Sequence, residues 1–341
     1  MVFYERRSIL VLFIGLLLCI TIWRASQPQL VPTTELTYRY GLPLQHASNS
    51  SGWPGGPQAT LEHLSPEDRS KLIDLVDFEY VIGQKSCSEL HLQPLVLILV
   101  HSAPGNWRKR NLIRRTWGRD DARARLLFLL GTVASADDQL DLVEENQEYG
   151  DLIQGNFIDA YRNMTYKHAM ALKWFTYSCP EAHFLLKTDD DVFVNSPTMF
   201  DFLENGVDRR RLVACYEVSG ARVKRSFRSK WRVSTKEYPG KYYPAYCPGF
   251  SIIYSPDAVV MLYREAQRSP YFWIDDVHVT GTLVQRTNMT ITPLNPLFLT
   301  RGQMNSIVNG RLNATSSLFF FTIPDLKERE IVTLWKIVTS T

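Results

Sequence analysis

The longest unbroken apolar run is Ile9–Trp23, ILVLFIGLLLCITIW, relieved only by Thr21 and flanked by Arg6, Arg7 and Arg24. As a helix it rises roughly 22–25 Å, enough to cross a thinner bilayer. The arginines on its amino side favour a cytoplasmic N-terminus, with the rest of the chain across the membrane. A cleaved signal peptide is the rival, but no small-x-small site follows; the flank is Arg24-Ala25-Ser26-Gln27. Both readings send the remainder into the secretory pathway. Beyond the run, periodicity is lost. Pro28, Pro32, Pro43, Pro54, Pro57 and the stretch SNSSGWPGGPQ over Ser48–Gln58 predict an extended stem. Ser65-Pro66-Glu67-Asp68 reads as a helix start, with Leu72, Ile73 and Val76 as its apolar stripe. The pattern thus divides the chain into a tail (1–8), an anchor (9–24), a stem (25–85) and a folded domain (86–341).

The texture changes at Pro94. Leu95–Val100 (LVLILV) is a continuous apolar run of strand length, as expected for a strand buried on both faces. Trp107–Trp117 reads as a basic helix, Leu126–Gly131 as a second buried strand, and Leu140–Tyr149 and Tyr166–Phe175 as helices. Ala182–Leu186 is a third strand, ending at Lys187-Thr188-Asp189-Asp190-Asp191. This alternation predicts an α/β domain with a mainly parallel central sheet. No GxGxxG and no Walker A follow the first strand, so neither a dinucleotide nor a P-loop site is supported.

Composition narrows the class. With 45% hydrophobic and 21% charged residues the chain is ordinary globular protein, which disfavours wholesale disorder and a polytopic membrane protein. Lys plus Arg (38) barely exceeds Asp plus Glu (35), which argues against a dedicated nucleic-acid binder. Cys87, Cys179, Cys215 and Cys247 lie beyond the anchor; in an oxidising lumen they could form two disulfides in any of three pairings, or remain buried thiols. Four Asn-x-Ser/Thr sequons, at Asn49, Asn163, Asn288 and Asn313, are glycan acceptors where luminal and exposed.

Three clusters carry candidate chemistry. Asp189, Asp190 and Asp191 follow an apolar strand, at the kind of strand end where parallel α/β sheets gather ligands. Adjacent carboxylates repel unless a cation compensates them, and hard divalent ions take oxygen ligands shared with phosphate. Alternation along extended backbone would put Asp189 and Asp191 on one face. The bland alternative is a solvated turn. Next, Asp275 and Asp276 sit in WIDDVHVTG: either a general base among apolar neighbours, or the cap of a helix over Val277–Val284. Last, Lys236–Gly249 is a Tyr/Pro/Gly loop suited to packing a sugar or base. Arg222, Lys224, Arg225, Arg228, Lys230 and Arg232 form a local basic patch, and Arg110, Arg114 and Arg115 a smaller one. Each is a phosphate or acidic-glycan contact or a solvated face.

Several segments match one family in register. Arg110–Trp117 (RNLIRRTW), Phe128–Gly131 (FLLG), Glu148–Lys167, Lys187–Asn195 (KTDDDVFVN), Lys230-Trp231 through Tyr238-Pro239, Tyr243-Pro244 and Tyr246-Cys247, and Asp275-Asp276-Val277 with Gly281 resemble the β-1,3-glycosyltransferases of glycosyltransferase family 31. The resemblance implies a GT-A-type catalytic domain over 86–341. It further implies a single-pass type II Golgi membrane protein with a luminal domain, which inverts the anomeric centre of a UDP-sugar and usually uses Mn²⁺. It makes Asp276 the base, with Asp275 as alternate, and Asp191 and Asp189 the metal ligands. Asp190, Lys187, Arg110 and Arg114 would bind the nucleotide-sugar, and Trp231, Tyr243, Tyr246 and Gly249 form the substrate loop. The partners implied are UDP-galactose or UDP-N-acetylglucosamine and a glycan acceptor on protein or lipid.

Two departures stand out. Ser251 replaces a frequent Gly two residues after Gly249, expected to narrow the loop's approach to the donor. Phe319–Leu326 (FFFTIPDL) lacks the His that many members place near the C-terminus, so water would complete the metal site, or the site would weaken or be lost. That departure supports a second expectation, a silent relative that binds glycans or stabilises a partner. A metal-dependent phosphohydrolase would explain the aspartates but not the Tyr/Pro loop.

Overall fold

The structure, a computed structural model, describes residues 66–207, 210–312 and 318–340. The anchor, most of the stem, Asn49 and Asn313 lie outside the described residues. Among those described, no helix is long and apolar enough to cross a membrane.

An eight-stranded sheet in the order β1-β4-β3-β2-β5-β7-β6-β8 organises the chain. Its strands are β1 (Tyr80–Ile82), β2 (Val96–His101), β3 (Ala124–Thr132), β4 (Leu152–Ile158), β5 (Phe184–Asp189), β6 (Val213–Cys215), β7 (Ser251–Tyr254) and β8 (Thr292–Pro293). The expected mainly parallel sheet is in fact mixed. The centre, β4-β3-β2-β5, is parallel, but β1 joins β4 antiparallel, and β7 runs antiparallel to both β5 and β6. The outer strands have two to four residues, too short to show a period. β4 was missed because Gln154 and Asn156 interrupt its apolar residues.

The apolar strand runs are explained by burial on both faces. Val96, Ile98 and Val100 of β2 join one core, and Leu97 and Leu99 join the other. The first core receives α1 (Trp107–Arg114) through Leu112 and Ile113; the second receives α3 (Met164–Ser178) and α5 (Pro256–Ala266). Between them, α2 (Ala136–Tyr149) starts at Ser135, whose hydroxyl accepts the Asp138 amide, and stops at Gly150 with φ +63°. α4 (Ser196–Gly206), α6 (Arg301–Val308) and α7 (Glu328–Thr339) complete the helices that matter for packing.

Packed structure is already present in the described residues from Pro66 on, before the boundary expected at 86. The helix predicted there is only a 3-10 turn, Pro66–Ser70, because Ile73 takes a left-handed φ of +60° and breaks the stripe. Val76 is exposed, while Leu72, Ile73 and Phe78 enter the second core. Buried Asp68 accepts from Tyr177 Oη at 2.6 Å and Gln267 Nε2 at 2.8 Å, and Lys173 Nζ donates to the Lys71 carbonyl at 2.8 Å. The cysteines pair as Cys87–Cys179 and Cys215–Cys247.

Candidate active site

The aspartate triplet closes β5, whose neighbour β2 ends in register with it, His101 opposite Asp189. The three carboxylates face different surroundings. Asp190 is buried and accepts from Ser102 Oγ, Asn106 Nδ2 and Lys109 Nζ, each at 2.8 Å. It therefore ties the end of β5 to the β2–α1 loop and to the first turn of α1. Asp189 opens toward a cleft, where its one direct cation among the described residues is Lys187, Nζ to Oδ1 at 3.0 Å. A third of the Asp189 side chain remains open, yet its enclosing walls push its pKa up to about 6, helped by Asp191 and Asp275 and opposed by Lys187. Burial also raises Asp191, against the pull of Lys109; Asp190 and Asp325 push the same way. Asp189 and Asp191 are thus incompletely neutralised while Asp190 is satisfied. That is the chemistry of a pair able to take a hard cation together with phosphate oxygens.

The two residues expected as further ligands are committed elsewhere. Fully buried Arg110 forks onto Glu145 (2.5 and 2.8 Å) and donates to the carbonyls of Ala103 and Pro104. Arg114 pairs with Glu145 at 2.7 Å and Asp151 at 2.8 Å. Their guanidiniums hold α1 and its loop against α2. Lys109, which the sequence reading passed over, is the α1 cation that reaches the triplet.

Across the cleft stand Asp275 and Asp276. The helix expected over Val277–Val284 is a π-helix, Asp276–Leu283, and Asp275 makes no side-chain cap, so the capping alternative fails. π-Turns are uncommon and concentrate at functional sites. Gly281 lets this helix press against the Tyr/Pro loop: a Cβ there would lie 2.9 Å from Pro244 Cγ. Thr280 Oγ1 accepts the Cys247 amide at 2.8 Å, tying the helix to the second disulfide.

Gly249 is required for close approach. A Cβ on it would stand 2.5 Å from Asp276 Oδ1 and 2.6 Å from Lys187 Nζ. The Gly249 backbone amide bonds Asp276, and its carbonyl accepts from Lys187. Fully buried Lys187 thus serves Asp189, Asp275 and Asp276 together, and their charges hold its pKa above the ordinary value in spite of burial. Burial drives the Asp276 carboxyl well above the ordinary carboxylate range, and the charge of Asp275 drives it further. For Asp275, burial is outweighed by a hydrogen bond from His168 and by Lys187, and its pKa falls below the ordinary value.

His168 is a second residue the sequence reading missed, since a lone His in an apolar helix gives no signal. It is fully buried, with Nδ1 3.1 Å from Asp275 Oδ2 and Nε2 3.0 Å from Tyr254 Oη. An ionised carboxylate can only accept, so Nδ1 carries the proton and Nε2 of the neutral ring accepts the tyrosine hydroxyl. Burial lowers the pKa of His168, in keeping with a neutral ring.

Of the substrate loop, Trp231 and Gly249 line the cleft, together with Tyr161, Met164 and Trp273. The Trp231 indole N–H donates to Tyr161 Oη. Tyr243 packs instead into a satellite core with Val223, Val233, Trp273 and Val277. Tyr246 lies between: burial, then the charge of Asp276, raises its pKa. Ser251 is buried in β7, bonded to Thr188 Oγ1 at 3.1 Å, and does not line the cleft as expected. The segment expected to carry a His does reach the triplet: the Leu326 amide donates to the Asp191 carbonyl, and Asp325 sits beside Asp191. Of the sequons, Asn288 is exposed at a turn, whereas Asn163 bonds the Ile158 carbonyl and its Thr165 is buried, donating to the Phe272 carbonyl at 2.6 Å.

A family model described as Galactosyltransferase matches residues 108–295, from α1 through the whole site. The chain belongs to that family. It is 32% identical to β-1,3-galactosyltransferase 5 of Pan troglodytes over 225 residues, 64% of this chain and 75% of the relative. It is 32% identical to UDP-GalNAc:β-1,3-N-acetylgalactosaminyltransferase 1 of Sus scrofa over 273 residues, 77% of this chain and 79% of the relative. Among solved structures, the galactosyltransferase LgtC with donor and acceptor sugar analogs overlays at a TM-score of 0.33 and 10% identity, covering 66% of this chain and 86% of that one, too distant to carry an argument. The family match spans the aspartate triplet, Lys187, His168, Gly249, Asp275 and Asp276 of this galactosyltransferase-family site.

Proposed function

We propose that the protein is an inverting β-1,3-glycosyltransferase of GT-A type. It transfers galactose, or N-acetylglucosamine, from a UDP-sugar to a glycan acceptor on glycoproteins or glycolipids. The relatives' names add UDP-GalNAc as a third donor to compare. The observation that carries the reading is Asp276: a half-buried carboxylate of raised pKa, held by the Gly249 amide beside Lys187, in the cleft that Asp189 also lines. In a single displacement Asp276 takes the proton of the acceptor hydroxyl as its oxygen bonds the anomeric carbon, and the bond to UDP breaks. Asp275, held by His168, which Tyr254 orients in turn, supplies the charge that makes Asp276 the more basic of the two. Lys187 keeps the carboxylates in place, and Trp231, Tyr161 and Trp273 form an apolar wall against a sugar ring. Asp189 and Asp191 would hold Mn²⁺, which when bound neutralises the charge developing on the departing diphosphate. The apolar run at 9–24 fits a single-pass Golgi anchor with this domain luminal.

Asp276→Asn tests the assignment. It should lower kcat by about 10²–10⁴-fold while UDP binding persists. Near-normal turnover would remove Asp276 as the base.

A further inference from the structure

The basic stretch beside the cleft has no task in the transfer just described. Residues 222–241 carry eight cations (Arg222, Lys224, Arg225, Arg228, Lys230, Arg232, Lys236, Lys241) and one carboxylate, Glu237, in a chain whose total is only +3. That lone carboxylate is already paired with Arg162, at 3.2 Å, from outside the stretch. Arg225 is structural, donating to the carbonyls of Val233, Tyr238 and Gly240 at 2.7–2.8 Å. Arg222, Lys224, Arg228 and Lys230 are exposed, and none forms an ion pair among the described residues.

The stretch is pinned in place. Val223 and Val233 are buried in the satellite core, and backbone bonds join Val223 to Lys241 (3.1 Å) and Val233 to Lys224 (2.9 Å). Its cations also begin at the cleft wall: Lys230 Nζ lies 4.4 Å from the Trp231 ring centroid and 5.7 Å from that of Tyr161. Both rings line the cleft. The interior is of opposite sign, with Asp189, Asp275 and Asp276 around Lys187. Positive charge at the rim therefore faces whatever extends out of the cleft from the reacting hydroxyl.

We propose that this rim recognises an anionic acceptor, a glycan carrying a carboxylate or sulfate group near the hydroxyl to be glycosylated. The inference rests on the transferase reading and names its acceptor class. Complementary charge speeds encounter and discriminates against neutral competitors, and exposed pairs respond to salt.

The test compares matched neutral, sulfated and carboxylated glycans in two readouts on the full-length protein: equilibrium binding to the immobilised glycans, and kcat/KM with each as acceptor. The wild type should favour the anionic members by about tenfold, as several exposed pairs of modest strength would give. The preference should shrink as ionic strength rises. The double variant Lys224→Glu/Arg228→Glu should abolish it, reading as a change in the anionic-to-neutral ratio. Sulfated and carboxylated arms distinguish the source of the charge. Equal binding of neutral and anionic glycans by the wild type overturns the proposal. So does a double variant that weakens UDP binding with the ratio intact, which assigns the loop to the donor. Loss of binding to phosphatidylserine vesicles with the ratio intact overturns it too, in favour of a membrane contact. Selective anionic binding without transfer from any donor would sink the transferase reading and leave this inference standing.

Discussion

At the residue scale, the account turns on how neighbours divide labour between two adjacent carboxylates. Asp275 is kept charged by His168 and Lys187, and its charge together with burial lifts Asp276. The sign of the resulting pH dependence follows. A base is active when deprotonated, so turnover falls as pH drops through the raised pKa of Asp276. Asp275→Asn removes a neighbouring negative charge, lowers that pKa and moves the acidic limb of the kcat profile to lower pH. The amide oxygen can still accept from His168 Nδ1, so the fold should hold. A limb that stays put in Asp275→Asn, measured with saturating donor, would contradict the coupling. The sequence exposed both aspartates but could not order their roles. The ordering comes from His168, which reaches Asp275 from α3 while Tyr254 of β7 bonds its other ring nitrogen, and from Lys187. Distance in sequence hides the ties of Arg110 and Arg114 as well. Their partners Glu145 and Asp151 lie 31 to 37 residues away, so what looked like free cations are internal ties.

At the element scale, the strands that were legible are those buried on both faces. β2, β3 and β5 announce themselves as apolar runs, and β5 leads directly to the aspartates. The edge strands do not, because two or three residues carry no period. The π-helix Asp276–Leu283 reads in sequence as an ordinary helix; its register depends on Gly281 meeting Pro244 and on Thr280 meeting Cys247. The Cys215–Cys247 bridge anchors this arrangement to β6 across a separation of 32 residues. Replacing both cysteines with Ala should lower stability by about 2–5 kcal/mol in denaturant titration. Activity should fall at temperatures where the variant is still folded, since the bridge holds the loop that carries Gly249. An unchanged unfolding midpoint would show that the pairing contributes nothing.

At the scale of the whole molecule, the sequence marks where the polar stem ends less well than where the core begins. The expected stem runs to residue 85, past its proline- and glycine-rich part and through the short helix read at 65–76, but the chain between Pro66 and Ile82 is part of the body. Asp68, Tyr177, Tyr263, Gln267 and Lys173 form one buried polar network there, and β1 adds an edge to the sheet. Removing the segment takes the Asp68 carboxylate from two tyrosine hydroxyls and two backbone carbonyls from Lys173, a cost local pattern cannot reveal. A chain trimmed to begin at Ser86 should therefore melt lower than one beginning at Glu62, by about 5 °C or more. Equal melting points would restore the later boundary.

The central claim is group transfer from a UDP-sugar by the cleft between Asp189 and Asp276. The most direct measurement offers the full-length protein UDP-galactose, UDP-N-acetylglucosamine and UDP-N-acetylgalactosamine. Each is tested with a panel of glycan acceptors, with Mn²⁺ or with EDTA, and product linkage is read by NMR. The account predicts Mn²⁺-dependent transfer from one favoured donor, giving a β-1,3 product, abolished in Asp276→Asn. A folded protein that binds neither UDP nor Mn²⁺ and transfers no sugar would contradict it.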